Sequence, residues 1–143
     1  MTEAHVEVEL KYSASDQSLT ILATADQLGA AHLGATVVNH ETDVYLDTGD
    51  LRLAAAGWAC RLRTRRVEGT PRTFVSLKGP PEAAAGALHR RPELEGPAND
   101  DLDPAAWPPS DARDHLDALR SGASLAPRLA LEQRRRERPV SLD

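Results

Sequence analysis

The sequence predicts an α+β fold in which an antiparallel β-sheet is the main element and helices lie at its periphery. Several segments alternate between apolar and charged residues with a period of two, the pattern of half-buried strands. Helical segments with capping residues occur at irregular intervals between these strands. A parallel sheet built from βαβ units would instead alternate strands and helices regularly, so the sequence favours the antiparallel arrangement.

The first half of the chain contains two predicted strands and two predicted helices. Residues 6–11 alternate strictly between apolar and charged side chains and form the clearest strand in the sequence. Spaced leucines over residues 15–33 predict a helix, whose first serine or aspartate is a suitable N-cap. Residues 36–46 are rich in Val and Thr, which favours a second strand. A turn then leads to a short helix over residues 51–56, which ends at a glycine.

The second half contains most of the predicted sheet. Residues 58–66 and 72–78 predict two strands joined by a hairpin, because Glu-Gly-Thr-Pro lies between them. Residues 89–95 alternate again and predict a fifth strand, followed by a loop rich in Pro and Asp. Residues 110–120 predict a helix with a serine N-cap and a glycine just beyond its end. Residues 128–140 are strand-like and form the last predicted element.

The composition limits the class of protein. A length of 143 residues and a hydrophobic content of 41% predict one domain with a core of moderate size. Aromatic residues make up 3% of the chain, too few for a platform on which single-stranded bases stack. The formal net charge of -5 opposes nonspecific attraction to nucleic acid or anionic lipid. We therefore expect neither specific nucleic acid nor membrane as a partner.

Cysteine content and the N-terminal residues predict the compartment. Cys60 is the only cysteine, which excludes an intrachain disulfide and a cysteine-rich zinc site. The first residues lack a basic segment followed by an apolar run, and no stretch of the sequence approaches the ~20 apolar residues of a membrane span. These features predict a soluble protein of the reducing cytoplasm.

The most informative feature is a set of strands that carry charged residues two positions apart, and therefore on one strand face. For a single strand, a solvated outer face explains such a pattern. Its recurrence favours an anion site, because three arginines spaced roughly 7 Å apart repel one another unless carboxylates, water or a bound anion lie between them. The sets are Glu7, Glu9 and Lys11; Arg61, Arg63 and Arg65; Arg91, Glu93 and Glu95; and Arg134, Arg136 and Arg138.

Glu7 and Glu9 suggest a metal site beside these arginines. Two carboxylates on one strand face suit a hard divalent cation such as Mg²⁺, which takes one or two protein carboxylates and leaves its other positions to water and phosphate. Arginine side chains opposite such a pair would share the charge of a triphosphate with the metal. The residues alone therefore predict a combined metal and phosphate site.

The same residues fall within motifs of a known family. Five segments, in order along the chain, resemble the signatures of CYTH domains, the triphosphate tunnel metalloenzyme family. Five motifs in order are far more specific than any one of them. The segments are Glu-Val-Glu-Leu-Lys at 7–11, which resembles ExExK; Tyr-Leu-Asp-Thr with Leu-Arg-Leu at 45–53; Arg-Leu-Arg at 61–63; Leu-Lys-Gly-Pro at 77–80; and Arg-Pro-Glu-Leu-Glu at 91–95.

The resemblance implies a fold, a ligand and roles for individual residues. The implied fold is an antiparallel β-barrel or tunnel with peripheral helices, and the implied ligand is triphosphate or polyphosphate held with Mg²⁺ or Mn²⁺. Glu7 and Glu9 would help hold the metal. Glu93 and Glu95 would line the tunnel or assist the metal. The cationic residues of the motifs would bind phosphate, namely Lys11, Arg61, Arg63, Lys78 and Arg91.

The last strand offers a further phosphate ligand. Which of its arginines point inward depends on the register, because a slip of one residue exchanges Arg134, Arg136 and Arg138 for Arg135. We rank Arg136 first among them. The same basic run would also suit a nucleic-acid patch, an alternative that the acidity of the chain and its few aromatic residues oppose.

The resemblance also predicts that the chain stops short of a complete tunnel. A complete family member would continue past Asp143 into strands that bring a second acidic pair and close the barrel. Residues 1–143 would then form a single domain that lacks those C-terminal strands, as a fragment, a truncated form or a degenerate paralogue. Exposed strand edges would favour association with another chain, for example as a homodimer.

Other reactive residues have structural explanations. Cys60 lies on the opposite side of its strand from Arg61, so we expect a buried thiol rather than a nucleophile. The five histidines are scattered and lack zinc-site spacing, and we expect them at the surface. Trp58 and Trp107 are predicted to anchor the packing, although Trp107 among prolines could equally cap a loop.

These features together predict a metal-dependent triphosphatase. The family chemistries implied by the resemblance include hydrolysis of tripolyphosphate and thiamine triphosphate, removal of RNA 5′-triphosphates and cyclic AMP synthesis. Inorganic tripolyphosphate is the favoured substrate, because nothing in the sequence indicates a base-binding pocket, and no side chain stands out as a general base. The alternatives are a noncatalytic polyphosphate-binding module and a structural α+β domain with neither property.

Overall fold

The computed structural model describes residues 5–82 and 86–142, which form two antiparallel sheets and three α-helices. None of the helices within these residues is long and apolar enough to cross a membrane. The irregular mixture of helices with antiparallel strands confirms the predicted α+β class. The elements are β1 (His5–Leu10), α1 (Asp16–Thr24), β2 (Gln27–Leu28), β3 (Ala31–Leu33), β4 (Val37–Thr48), α2 (Arg52–Ala55), β5 (Ala59–Val67), β6 (Thr70–Lys78), β7 (Leu88–Ala98), a 3₁₀ turn (Pro104–Ala106), α3 (Asp111–Arg120), β8 (Leu125–Glu137) and β9 (Val140–Leu142).

The main sheet has six strands in the order β1-β7-β6-β5-β4-β8, and β2, β3 and β9 form a smaller sheet. Its edge strands β1 and β8 both contribute side chains to one cavity, so the sheet curves around that cavity. The curved antiparallel sheet is the architecture that the family resemblance implies. Among the described residues, however, no strand pairing joins β1 to β8 and closes the sheet into a ring.

The hydrophobic core lies on the convex face of the main sheet, under α2 and α3. Val75 and Leu77 of β6 are fully buried there, together with Leu53 of α2 and Leu116 of α3. Because side chains alternate between the two faces of a strand, this packing directs Ser76, which lies between Val75 and Leu77, toward the concave face. The core therefore fixes which residues of each strand can form a site.

Gly96 allows α3 to lie close to β7. A Cβ atom at this position would be 2.3 Å from Oγ and 2.7 Å from Cβ of Ser110, closer than real side-chain contacts. Ser110 is the N-cap of α3, as predicted, and its hydroxyl accepts a hydrogen bond from the backbone N–H of Arg113. The cap and the glycine together set the position at which the helix begins against the sheet.

The helix predicted over residues 15–33 ends at Thr24 instead. The chain then forms β2 and β3, joined through Gly29 at a φ of 61°, a conformation that glycine adopts without steric cost. The spaced leucines on which the prediction depended do not form a buried face, since Leu19 and Leu28 are 52% and 57% exposed. Apolar spacing alone therefore overstated the length of this helix.

The last predicted strand is divided in two. β8 ends at Glu137, and residues 138–139 separate it from β9. Pro139 has no backbone N–H and cannot donate to a strand ladder. The guanidinium of Arg138 instead donates to the backbone carbonyls of Gly34, Leu22, Ala25 and Leu33, which ties the end of α1 to this segment.

Three predictions about single residues are resolved by burial. Cys60 is 1% exposed, and burial raises its pKa to about 12, which confirms a structural thiol. Trp107 is buried, and its indole N–H donates to the carbonyl of Asp101 at 2.8 Å, which confirms a packing role. His115 does not lie fully at the surface as expected, because it is half-buried with its ring centroid 4.3 Å from that of Trp58.

Candidate functional site

A cavity of about 490 Å³ lies on the concave face of the main sheet. Its volume is within the range of small-molecule sites, but its walls are charged rather than apolar. Six cationic and five acidic side chains line it, including nine of the ten residues predicted from the sequence. The charged lining residues are Lys11, Arg61, Arg63, Lys78, Arg91 and Arg135, with Glu7, Glu9, Asp43, Glu93 and Glu95.

The strand register brings these residues together. Arg61 of β5 lies opposite Ser76 of β6, which lies opposite Glu95 of β7. Glu7 of β1 lies opposite Arg91 of β7. Since residues two apart on a strand share a face, each charged set of the sequence lies on the concave face, apart from that of β8. The period-two charge pattern therefore marks the inner surface of the sheet rather than a solvated outer face.

The carboxylates of β1 and β7 form an acidic half of the cavity. Lys78 donates to the carboxylate of Glu7 at 2.7 Å, and its Nζ atom lies 3.5 Å from Glu93. The hydrogen bond from Lys11 lowers the pKa of Glu9, although burial opposes this shift. Glu9 is therefore ionised at neutral pH, with Lys11 as its partner at 2.8 Å.

Arg61 and Arg63 occupy adjacent inward positions on β5 but differ in their partners. Their side chains are 15% and 11% exposed. Arg63 donates from Nε and Nη2 to the two oxygens of Asp43, both at 2.7 Å. The Nε atom of Arg61 is buried and has no hydrogen-bond partner within the described residues, and its Nη1 atom is 4.0 Å from Asp43. Arg61 thus brings a buried positive charge and an unused donor to the cavity wall.

A buried acidic pair on β4 was not among the site residues predicted from the sequence. Glu41 and Asp43 are 2% and 1% exposed. Burial alone would raise the pKa of Asp43, but the hydrogen bonds and charge of Arg63, with the charges of Arg61 and Arg135, outweigh it and hold the pKa below its usual range. The signal was present in the sequence as acidic residues two apart. The Val and Thr content of this segment predicts a strand but does not show that its acidic face is buried.

The prediction that Arg136 is the inward arginine of the last strand is wrong. Arg134 and Arg136 lie on the outer face of β8, where they line a separate hollow beside α1. Arg135 and Gln133 line the main cavity instead, because Gln133 is opposite the inward-facing Glu41 in the β4–β8 register. Sequence alone does not settle this choice, since both alternating sets of this strand contain arginine.

The carboxylates of the acidic half fit a hard divalent cation by their chemistry, because Mg²⁺ and Mn²⁺ prefer oxygen ligands. Within residues 5–82 and 86–142, no three His, Cys, Asp or Glu side chains are grouped as a complete ligand set. Mg²⁺ typically takes one or two carboxylates and completes its coordination with water and phosphate. Glu7 and Glu9 match that requirement as a pair.

The fold and the cavity define a class of protein, an antiparallel α+β domain whose curved sheet surrounds a cavity with acidic and basic halves. Residues 5–141 match the model of the CYTH domain. The chain belongs to the CYTH domain family, which confirms the resemblance found in the sequence. Members of this family are typically metal-dependent phosphohydrolases or cyclases and generally use divalent metal ions.

A solved structure gives independent support for the fold. The chain is similar to the PH1819 protein from Pyrococcus horikoshii OT3, with a TM-score of 0.55 and 14% sequence identity. The similarity covers 95% of this chain and 64% of that chain, so this chain spans less than two thirds of the related protein. No curated protein sequence matched the chain significantly.

Proposed function

We propose that this CYTH domain is a metal-dependent hydrolase of inorganic tripolyphosphate or of an organic triphosphate. The observation that carries the proposal is Arg61, whose Nε atom is buried without a hydrogen-bond partner among the described residues. An unsatisfied buried donor is costly, and a phosphate oxygen would satisfy it with a charge-assisted hydrogen bond. Such a donor on a wall that faces carboxylates suits a ligand that is anionic and metal-bound.

The cationic residues would bind and orient the phosphate chain. Arg61 and Arg135 lie on the basic side of the cavity, and Lys78 and Arg91 lie among the carboxylates of β1 and β7. Phosphoryl transfer depends mainly on positioning and on neutralising charge, which these residues supply from both sides. The arrangement supports hydrolysis without a dedicated general base.

Glu7 and Glu9 would hold the divalent metal, with Glu93 and Glu95 beside them on β7. When bound, the metal supplies charge neutralisation at the phosphate oxygens. Glu7 forms a salt bridge with Lys78 and lies 3.7 Å from Arg91, so it also holds these two cationic side chains among the carboxylates of β1 and β7. Removal of its charge should therefore impair metal binding and loosen those two side chains.

Inorganic tripolyphosphate is favoured over a nucleotide. Tyr45 is the one aromatic residue among the described residues that line the cavity. A nucleobase is usually held by stacking against aromatic side chains together with polar contacts. The cavity lining offers little aromatic surface for such stacking. The charged lining suits a ligand that is ionic along its whole length.

Phosphate release from tripolyphosphate tests the proposal. The assay is run with Mg²⁺, with Mn²⁺ and with chelator, for the wild-type chain and for Glu7→Gln/Glu9→Gln. We expect release that requires metal and is lost in the double variant. Asp16→Asn/Asp26→Asn removes the same number of charges from exposed positions outside the cavity and should retain activity. Metal-independent release, or full activity in the Glu7 and Glu9 variant, would contradict the proposal.

A noncatalytic polyphosphate-binding module is the second candidate. The pairing of Glu7 with Lys78 favours it, because that carboxylate already has a cationic partner. A binding module would show no phosphate release, and tripolyphosphate would raise its melting temperature. Glu7→Gln would then preserve or strengthen binding, since it removes a negative charge from the cavity.

A further inference from the structure

The buried acids of β4 are surrounded by arginines. Asp43 receives both hydrogen bonds of the Arg63 fork, and Gln133 donates to it at 2.8 Å. Glu41 accepts from Nε of Arg65 at 2.8 Å and lies 3.1 Å from Nη1 of Arg63. Every nitrogen of the Arg63 guanidinium is thus directed at one of these two carboxylates.

A carboxylate and a phosphate compete for the same guanidinium fork, because both accept two parallel hydrogen bonds from it. A phosphate cannot take Arg63 without displacing Asp43, which is 1% exposed and would lose its partner inside the protein. This exchange yields little net gain. Arg63, which the sequence predicted as a phosphate ligand, is therefore engaged by the protein itself.

We propose that Glu41 and Asp43 act as built-in counter-anions that occupy Arg63 and Arg65 and so make tight phosphate binding depend on the divalent metal. Six cationic side chains against five acidic ones leave the cavity close to neutral, which limits its attraction for a bare polyanion. A divalent cation would add the missing positive charge. This inference rests on the proposed function only for the identity of the anion as a phosphate.

Asp43→Asn tests the inference through an effect opposite to that of ordinary damage to a site. The variant loses a buried ion pair, so it should melt at a lower temperature than the wild-type chain. Its Arg63 fork becomes available, so its affinity for tripolyphosphate in chelator should rise by about tenfold or more. Thermal shift and calorimetric titration without metal measure both effects. A merely structural role for Asp43 predicts the lower melting temperature without the gain in affinity.

Two controls identify the cause of the gain. Glu132→Gln removes one charge from the outer face of β8 and should leave metal-free affinity within about twofold of wild type, because solvent and salt screen exposed charges. Arg63→Gln combined with Asp43→Asn should abolish the gain, because the fork itself is absent. Unchanged or lower metal-free affinity in Asp43→Asn, or a gain that persists without Arg63, would overturn the inference.

Glu41→Gln serves as a second variant if the Asp43→Asn protein does not fold. It frees the Nη1 atom of the cavity-lining Arg63, which lies 3.1 Å from Glu41, and it also removes a partner of Arg65. We expect the same metal-free gain, and failure of tripolyphosphate to stabilise either variant would overturn the inference. The outcome is separate from the proposed hydrolysis. A wild-type chain without phosphatase activity refutes the proposed function, whereas a metal-free gain in these variants still supports the counter-anion role.

Discussion

Arg61 and Arg63 form a matched pair for separating binding from stability. They lie two residues apart on β5, face the same cavity and are almost equally buried. Arg63 is held by Asp43 and Glu41, whereas Nε of Arg61 has no partner among the described residues. Arg63→Gln should therefore mainly lower the stability of the fold, whereas Arg61→Gln should mainly weaken ligand binding.

The expected changes in unfolding free energy and in affinity follow from these contacts. Arg63→Gln leaves the buried carboxylate of Asp43 without its main partner and removes one of the partners of Glu41. Breaking a buried ion pair in this way costs about 3–5 kcal/mol of unfolding free energy. Arg61→Gln removes a donor that makes no hydrogen bond, so the unfolding free energy should change by less than about 1 kcal/mol. The same change should weaken tripolyphosphate binding in the presence of metal by about 2 kcal/mol, or roughly thirtyfold, through loss of charge-assisted hydrogen bonds.

Urea denaturation and calorimetric titration of both variants provide the assay. The expected result is that Arg63→Gln is clearly the less stable variant, while Arg61→Gln is nearly as stable as wild type but binds poorly. Equal destabilisation by the two substitutions would refute the reasoning from hydrogen-bond partners. Unchanged affinity in Arg61→Gln would refute the assignment of Arg61 as a phosphate ligand.

Two further predictions concern stability. Gly96→Ala should lower the unfolding free energy by about 2 kcal/mol, because a methyl group would clash with Ser110 at the start of α3; an unchanged urea midpoint would contradict this packing. Acid should destabilise the fold through Asp43, whose lowered pKa means that the native state favours its ionised form. The stability that Asp43 contributes is present above its unfolded pKa near 3.8. This stability is lost as the pH falls through the lower native pKa. Denaturation between pH 2 and 5 should therefore show a smaller acid loss in Asp43→Asn than in wild type.

The inward-facing residues of β1, β5 and β7 could be predicted from the sequence because each strand gives a clear period of two. Glu7 and Arg61 alternate with apolar residues, so burial of one face fixes the orientation of the other. The strand that contains Arg135 gave no such signal, because the seven consecutive residues 132–138 are polar or charged and either register places an arginine inward. Only the pairing of β8 with β4 determines the register, and that contact is distant in sequence.

The buried pair on β4 shows a different limit. Acidic residues are rarely fully buried, so Glu41 and Asp43 are expected at the surface unless their partners are known. Those partners, Arg65 and Arg63, follow about twenty residues later on the next strand of the sheet. The end of α1 likewise differs from its predicted position, because its exposed leucines do not pack against the core. Contacts between elements, rather than local propensity, decide these features.

The most direct test of the central claim is a titration of the ¹⁵N-labelled chain with tripolyphosphate and Mg²⁺, followed through the arginine Nε–Hε resonances. The Arg61→Gln variant assigns the Arg61 signal. We expect the Arg61 resonance to shift strongly as the ligand binds, while that of Arg63, which already donates to Asp43, moves little. An Arg61 resonance that does not respond to saturating ligand and metal would contradict the claim that this cavity binds a triphosphate.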